Sequence, residues 1–172
     1  ISDPLNIRLT NPNLKPSFNN NISATFNTYF TETLRSFNAN FSYSNTINST
    51  TRIVTYDENT GGRTTQPTNV NGNWRINGSF TFSTPLSNKK FTVNTYTNAN
   101  YGNSVGFTVL NKESDAVKSN TTNLFLSERL KGNYRSDLID CELSAGIRYQ
   151  KSEHSIKKDN QRETFDYTFR VE

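Results

Sequence analysis

Hydrophobic and polar residues alternate along most of the chain. The clearest case spans the sixteen positions from Asn69 to Thr84, where even positions are apolar or small and odd positions are polar. Successive side chains of a β-strand point to opposite faces, so this period of two predicts one long strand. Such a strand would span roughly 50 Å at ~3.3 Å per residue. Usual strands have only about 5–6 residues.

The same alternation predicts six further strands. It is regular in five of them and less regular in the sixth, where Glu128 shares a face with leucines and Phe125 lies on the opposite face. The regular segments are 18–30, 37–48, 91–109, 139–150 and 164–171, and the irregular one is 124–134.

The predicted connections alternate in length. Short links fall at 31–33, 86–90 and 135–137, and longer, charged or glycine-rich links fall at 57–66, 111–118 and 151–160. This order is typical of an up-and-down meander whose two ends differ. Transmembrane barrels have such ends, with short periplasmic turns and longer outer loops.

Strand length favours a membrane over a sandwich. At about 45° tilt, a strand of sixteen residues rises roughly 35 Å, more than the ~25 Å apolar band of a barrel requires. We therefore predict an all-β fold: an antiparallel up-and-down meander of about seven long strands, part of a larger transmembrane β-barrel. Residues 1–172 form one barrel segment, with 1–17 as an outer loop leading into the first strand and 18–172 as barrel strands.

The alternation assigns one face to lipid and the other to water. Aromatic residues gather beside the short turns, as in an aromatic girdle at a membrane interface, although cross-strand aromatic pairs of a protein core would also fit. The predicted membrane-facing girdle consists of Phe26, Phe30, Phe37, Phe41, Phe80, Phe82, Phe91 and Trp74. The predicted lumen-facing polar residues are Asn19, Asn21, Asn73, Arg75, Asn77 and Asn94.

Composition alone leans toward disorder, with 31% hydrophobic residues and a mean hydropathy of −0.78. Leu, Ile, Val and Phe nevertheless make up 39 of 172 residues, just above the roughly 20% below which chains tend not to fold. Their regular placement therefore favours an ordered sheet, with one face exposed to water, over a disordered chain.

Candidate chemistry is sparse. The net charge of +4 comes from scattered basic residues, so no nucleic-acid partner is expected. His154, the only histidine, is expected to be solvated in a polar loop, and Cys141 to be a buried or lipid-facing thiol. We expect no enzyme activity, cofactor or metal site. Four carboxylates are candidate outer-loop ligand contacts: Asp57, Glu58, Glu113 and Asp115.

Two stretches resemble a known family. DPLNIRLTNPNLKPSF, at 3–18, resembles the GNPNLKPE loop-to-strand motif of TonB-dependent receptors. NGNWRINGSFTFSTPLSNKKFTVNT, at 71–95, is similar to barrel strands of the outer-membrane β-barrel family common in Bacteroidota, and ERLKGNYRSD at 128–137 extends the likeness. Thr10 replaces a frequent Gly of the motif, and Ser17 replaces the acidic residue that often follows Pro.

The resemblance implies a nutrient receptor or transporter in the outer membrane of a Gram-negative bacterium, typically with 22 strands and a plug domain. The final FRVE lacks the terminal aromatic residue of such barrels, so we expect a segment incomplete at both ends. Expected partners are membrane lipid, the remainder of the barrel, the plug, a surface lipoprotein and the TonB energy-transducing complex. The alternative is a soluble extracellular β-sandwich module for binding or adhesion.

Overall fold

A computed structural model describes residues 5–57, 59–86, 90–109, 116–156, 159 and 161–172. Its strands are β1 (Asn6–Arg8), β2 (Phe18–Phe30), β3 (Arg35–Ile47), β4 (Ser49–Tyr56), β5 (Arg63–Val70), β6 (Asn73–Pro85), β7 (Phe91–Thr108), β8 (Val117–Arg135), β9 (Asp140–His154) and β10 (Arg162–Val171). Within these ranges no helix is long and apolar enough to cross a membrane.

Seven strands form one antiparallel sheet in the order β2-β3-β6-β7-β8-β9-β10. The predicted all-β antiparallel meander of seven long strands is thereby confirmed. The strand ends joined by its short connections lie at one end of the sheet: Phe30 and Arg35, Pro85 and Phe91, and Arg135 and Asp140. The strand ends joined by longer connections, including Thr108 and Val117, and His154 and Arg162, lie at the other end.

The prediction of one continuous strand from Asn69 to Thr84 is wrong. Strand β5 ends at Val70 and β6 begins at Asn73. Gly72 lies between them with a φ of 113°, a backbone conformation open to glycine and strained for residues with a Cβ. The chain therefore bends where the side-chain alternation continues unbroken.

A second, three-stranded sheet has the order β1-β5-β4, and its β1–β5 pair is parallel. Residues 1–17 are therefore not all loop, and residues 63–66 of the predicted 57–66 link belong to β5. The β4–β5 hairpin bends over β7: Thr51 Oγ1 lies 4.0 Å from the position that a Cβ on Gly106 would occupy. The link before β8 is shifted rather than shortened, because β7 ends at Thr108 and β8 begins at Val117. The link after β9 is shorter than predicted, because β9 extends to His154.

Cross-strand pairing sorts the seven-stranded sheet into two continuous faces. Residues directly opposite each other share a face, so the row Phe80–Thr97–Glu128–Ile147 marks what we call the apolar face. The alternate positions, such as Asn77, form the polar face, on which Gly106 also lies.

Most of the apolar face has no protein cover within the described residues. The buried hydrophobic residues are Val70, on β5, and Val105, which lies beside Gly72 near the long-loop end of β7, whereas Ile22 and Phe169 are 66% and 69% exposed. The second sheet does not supply a cover, because its hairpin leans over the polar face. Within the described residues, the two sheets therefore do not pack as the sandwich alternative predicts, since a second sheet would then bury the apolar side chains.

Candidate functional site

All eight predicted girdle residues lie on the apolar face. Four of them are within three residues of the strand ends that meet at short turns: Phe30, Phe37, Phe82 and Phe91. The ring of Phe37 makes edge contacts with Phe26 and Phe80, at centroid distances of 5.7 and 4.7 Å. These rings link three neighbouring strands, β2, β3 and β6.

Trp74 belongs to a second aromatic band, near the long-loop end. Its ring meets Tyr101 edge-on at 5.2 Å, and Tyr43 and Tyr149 lie on the same face. Tyr101 is ten residues beyond Phe91 on β7, roughly 33 Å along the strand. At about 40° tilt this separation is ~25 Å in height, the height of the apolar band of a transmembrane barrel.

Amide and hydroxyl side chains bond to one another across the polar face. The Thr25 hydroxyl donates to Asn40 Oδ1 at 3.0 Å, Asn40 Nδ2 donates to Ser79 Oγ at 3.3 Å, and Asn77 Nδ2 donates to Ser42 Oγ at 3.0 Å. A hollow of about 490 Å³ opens above these residues. Two more, of about 610 and 560 Å³, open above β7–β10. The sheet is therefore concave on its polar side.

The six predicted lumen residues all lie on this polar face. Two of them are engaged within the protein: Asn73 Oδ1 accepts the Val105 N–H at 2.6 Å, and Asn77 bonds to Ser42. The remaining four make no side-chain hydrogen bond or ion pair to any described residue: Asn19, Asn21, Arg75 and Asn94.

A comparison of the chain with models of protein families identifies its family. A family model described as the outer membrane protein beta-barrel family matches residues 1–170. The chain belongs to this family. Searches of curated proteins and of solved structures give no match. This outer-membrane β-barrel chain therefore resides in the outer membrane of a Gram-negative bacterium, with membrane lipid as its surroundings.

Asparagine side chains hold the junction where the barrel strands meet the β4–β5 hairpin. Asn71 Oδ1 accepts the Asn48 N–H at 2.7 Å, and Asn69 Nδ2 donates to the carbonyls of Asn48 and Lys15 at 2.8 and 3.0 Å. Sequence analysis missed this junction, although the Asn71-Gly72 dipeptide is a turn signal. These asparagines satisfy backbone groups that the broken strand pairing leaves open.

Of the four predicted outer-loop carboxylates, Asp57 lies within the described residues. Glu58, Glu113 and Asp115 lie outside the described residues. Asp57 Oδ1 accepts the backbone N–H groups of Thr60 and Asn59, at 3.1 and 2.8 Å, and these bonds lower the pKa of Asp57 below its usual value. The Asp57 carboxylate is therefore engaged in hydrogen bonds within its own turn. Within the described ranges no group of three or more His, Cys, Asp or Glu residues could hold a metal ion.

The prediction of a loop-solvated His154 is wrong. His154 is the last residue of β9 and half-buried, with its Nε2 3.4 Å from Thr108 Oγ1. Thr108 also bonds to Ser119 Oγ at 2.9 Å, and Ser119 is only 5% exposed. These three polar groups link β7, β8 and β9, so we expect them to stabilise the sheet. Cys141, in contrast, is a free, exposed thiol on the apolar face.

An acidic side chain, Glu128, lies on the apolar face. It is seven residues from the end of β8, which places it roughly 18 Å above the short turns at about 40° tilt. The Thr97 hydroxyl donates a hydrogen bond to its carboxyl oxygen. Glu128 therefore places a carboxyl group on the apolar face, roughly midway between the two aromatic bands.

Replacing Glu128 with leucine is expected to raise the free energy of unfolding in lipid by about 1 kcal/mol, since acidic groups on a barrel's lipid face destabilise less than the ~2–4 kcal/mol of basic ones. Equilibrium unfolding in bilayers measures the change. Glu142→Leu is the control, because Glu142 lies on the polar face paired with Lys131 at 2.6 Å, and it should give no gain. A loss of stability in Glu128→Leu would contradict the lipid-facing assignment.

Proposed function

We propose that this chain forms barrel strands of a TonB-dependent receptor that takes up a polar nutrient. The observation that carries the proposal is the concave face of amides and hydroxyls, overhung at one end by the β4–β5 hairpin. Such side chains suit a hydrated passage in which a polar ligand is bound and released. The likeness of 3–18 to the receptors' loop-to-strand motif supports the TonB-dependent type.

In this proposal the short turns face the periplasm and the long connections face the outside, as in other barrels. The apolar face excludes lipid, the polar face hydrogen-bonds water and ligand, and the outer hairpin and loops contact arriving ligand. The chain itself carries out no catalytic step. A plug domain, the TonB complex and a surface lipoprotein are the proposed partners, together with the rest of the barrel.

An uptake screen tests this function. The parent bacterium, a strain lacking the gene for this barrel and a strain lacking TonB are each supplied with panels of labelled glycans, peptides and metal chelates. We expect the first deletion to abolish accumulation of one nutrient class and the TonB deletion to abolish the same accumulation. Uptake that persists without TonB, or after the proton-motive force is dissipated, would contradict an energised receptor.

A further inference from the structure

The polar face is chemically divided. On β2, β3, β6 and β7 its side chains are almost all uncharged, with Arg75 as the one charged residue among the described positions. On β8, β9 and β10 the same face carries several charges. Four cations lie beside the two hollows of about 610 and 560 Å³: Arg129, Lys131, Arg148 and Arg170. A ligand on this face would meet a neutral area next to a charged one.

Three of the four cations are already engaged. Lys131 Nζ lies 2.6 Å from Glu142 Oε2, and Arg170 Nη1 lies 3.5 Å from Glu172 Oε1. The Arg148 guanidinium lies over the Phe125 ring at 5.9 Å.

Arg129 differs from these three cations. Among the described residues, its guanidinium has neither a carboxylate within ion-pair distance nor an aromatic ring beneath it. Its donors are therefore available to a ligand.

Arg129 also lies at the centre of a recess in the polar face, between the two hollows. It pairs across the sheet with Tyr96 on one side and Gly146 on the other, and Gly146 pairs with Thr168. A Cβ on Gly146 would lie 3.0 Å from Thr168 Oγ1 and 3.9 Å from the Arg129 Cβ. Because Gly146 has no Cβ, the Thr168 hydroxyl can lie close over the backbone of β9, next to the Arg129 side chain. Tyr96, Arg129 and Thr168 line both hollows.

We propose that this row binds the carboxylate of an acidic saccharide. The planar fork of Arg129 donates two parallel hydrogen bonds to a carboxylate, and the Thr168 hydroxyl donates a third from across Gly146. The amides and hydroxyls of β3, β6 and β7 bind the saccharide hydroxyls. The inference rests on the proposed uptake function, because it names the ligand class of the same polar face.

Arginine footprinting tests the proposal on the purified full-length protein in detergent. Phenylglyoxal modifies accessible guanidinium groups, and mass spectrometry reads each arginine separately. The probes are glucuronate, galacturonate and mannuronate, and the matched neutral probes are glucose, galactose and mannose. At a probe concentration ten times its dissociation constant, at least one hexuronate should slow modification of Arg129 about tenfold. Arg75, on the neutral part of the same face, should react at an unchanged rate.

Two variants extend the test. Arg129→Gln should weaken hexuronate binding, measured by calorimetry, by about tenfold or more, because a charge-assisted pair is lost. Arg129→Lys should recover only part of the binding, since it keeps the charge but not the fork. The matched Arg75→Gln should bind as the natural protein does, and a heat-modifiability gel shift confirms that each variant is folded.

Three results would overturn the proposal: equal protection by hexoses, no protection by any hexuronate, or an Arg129 that is unreactive before any probe is added. The last result would mean that another part of the protein pairs with Arg129. These measurements report binding alone, so TonB-independent uptake would defeat the proposed function without changing the footprint.

Discussion

Replacing Leu130 with arginine is expected to lower the free energy of unfolding in a lipid bilayer by about 2–4 kcal/mol. Leu130 lies on the apolar face of β8, is 50% exposed and is five residues from the short-turn end of the strand. It is therefore about midway between the two aromatic bands, where a guanidinium is farthest from water. Reversible unfolding by guanidinium chloride in bilayers, followed by the fluorescence of Trp74, measures the loss.

Leu124→Arg is the matched control, on the same strand and the same face. Leu124 pairs with Tyr101 and Lys151, a row that already holds a charged side chain and marks the outer interface. The same substitution should destabilise by only about 0–1 kcal/mol there. Equal losses at the two depths would contradict a bilayer around this face.

Gly72→Ala should lower the free energy of unfolding by about 2–3 kcal/mol, because side chains in this region of backbone conformation are strained. The φ of 113° disfavours any Cβ, and the new Cβ would lie 2.9 Å from the Cγ2 of buried Val105. We expect the β4–β5 hairpin to loosen first. Hydrogen–deuterium exchange of residues 49–70, together with equilibrium unfolding, measures both effects.

Gly78→Ala is the control for this substitution. Gly78 lies in the middle of β6, and a Cβ there would meet no atom within 4 Å. We expect its stability to stay within about 0.5 kcal/mol of the natural protein, or to rise slightly through lower unfolded-state entropy. If the two alanine variants lose stability equally, the bend at Gly72 is not what positions the hairpin.

The places where sequence reasoning succeeded share a physical basis. The assignment of Phe80 and Asn77 to opposite faces needs only the local geometry of an extended chain, in which neighbouring side chains alternate. The positions of the short turns follow from interruptions of that alternation. Both features are local, so the seven strands of the main sheet could be predicted without a structure.

The failures have a different origin. Alternation continues through Asn71 and Gly72, so a period of two does not detect the bend between β5 and β6. Whether Asn73 is free for ligand depends on the N–H of Val105, more than thirty residues away in the chain. The loop assignment of His154 failed for the same reason, because its partner Thr108 comes from another strand. Cross-strand register decides such contacts.

The sequence by itself determined a long, two-faced antiparallel sheet with unequal ends, because strand geometry converts a period of two into two surfaces. Only the tertiary structure decided where the β4–β5 hairpin bends and which polar groups remain available for a ligand. It also placed Tyr96, Arg129, Gly146 and Thr168 in one row. These four residues lie on four strands and meet only when the sheet takes its register.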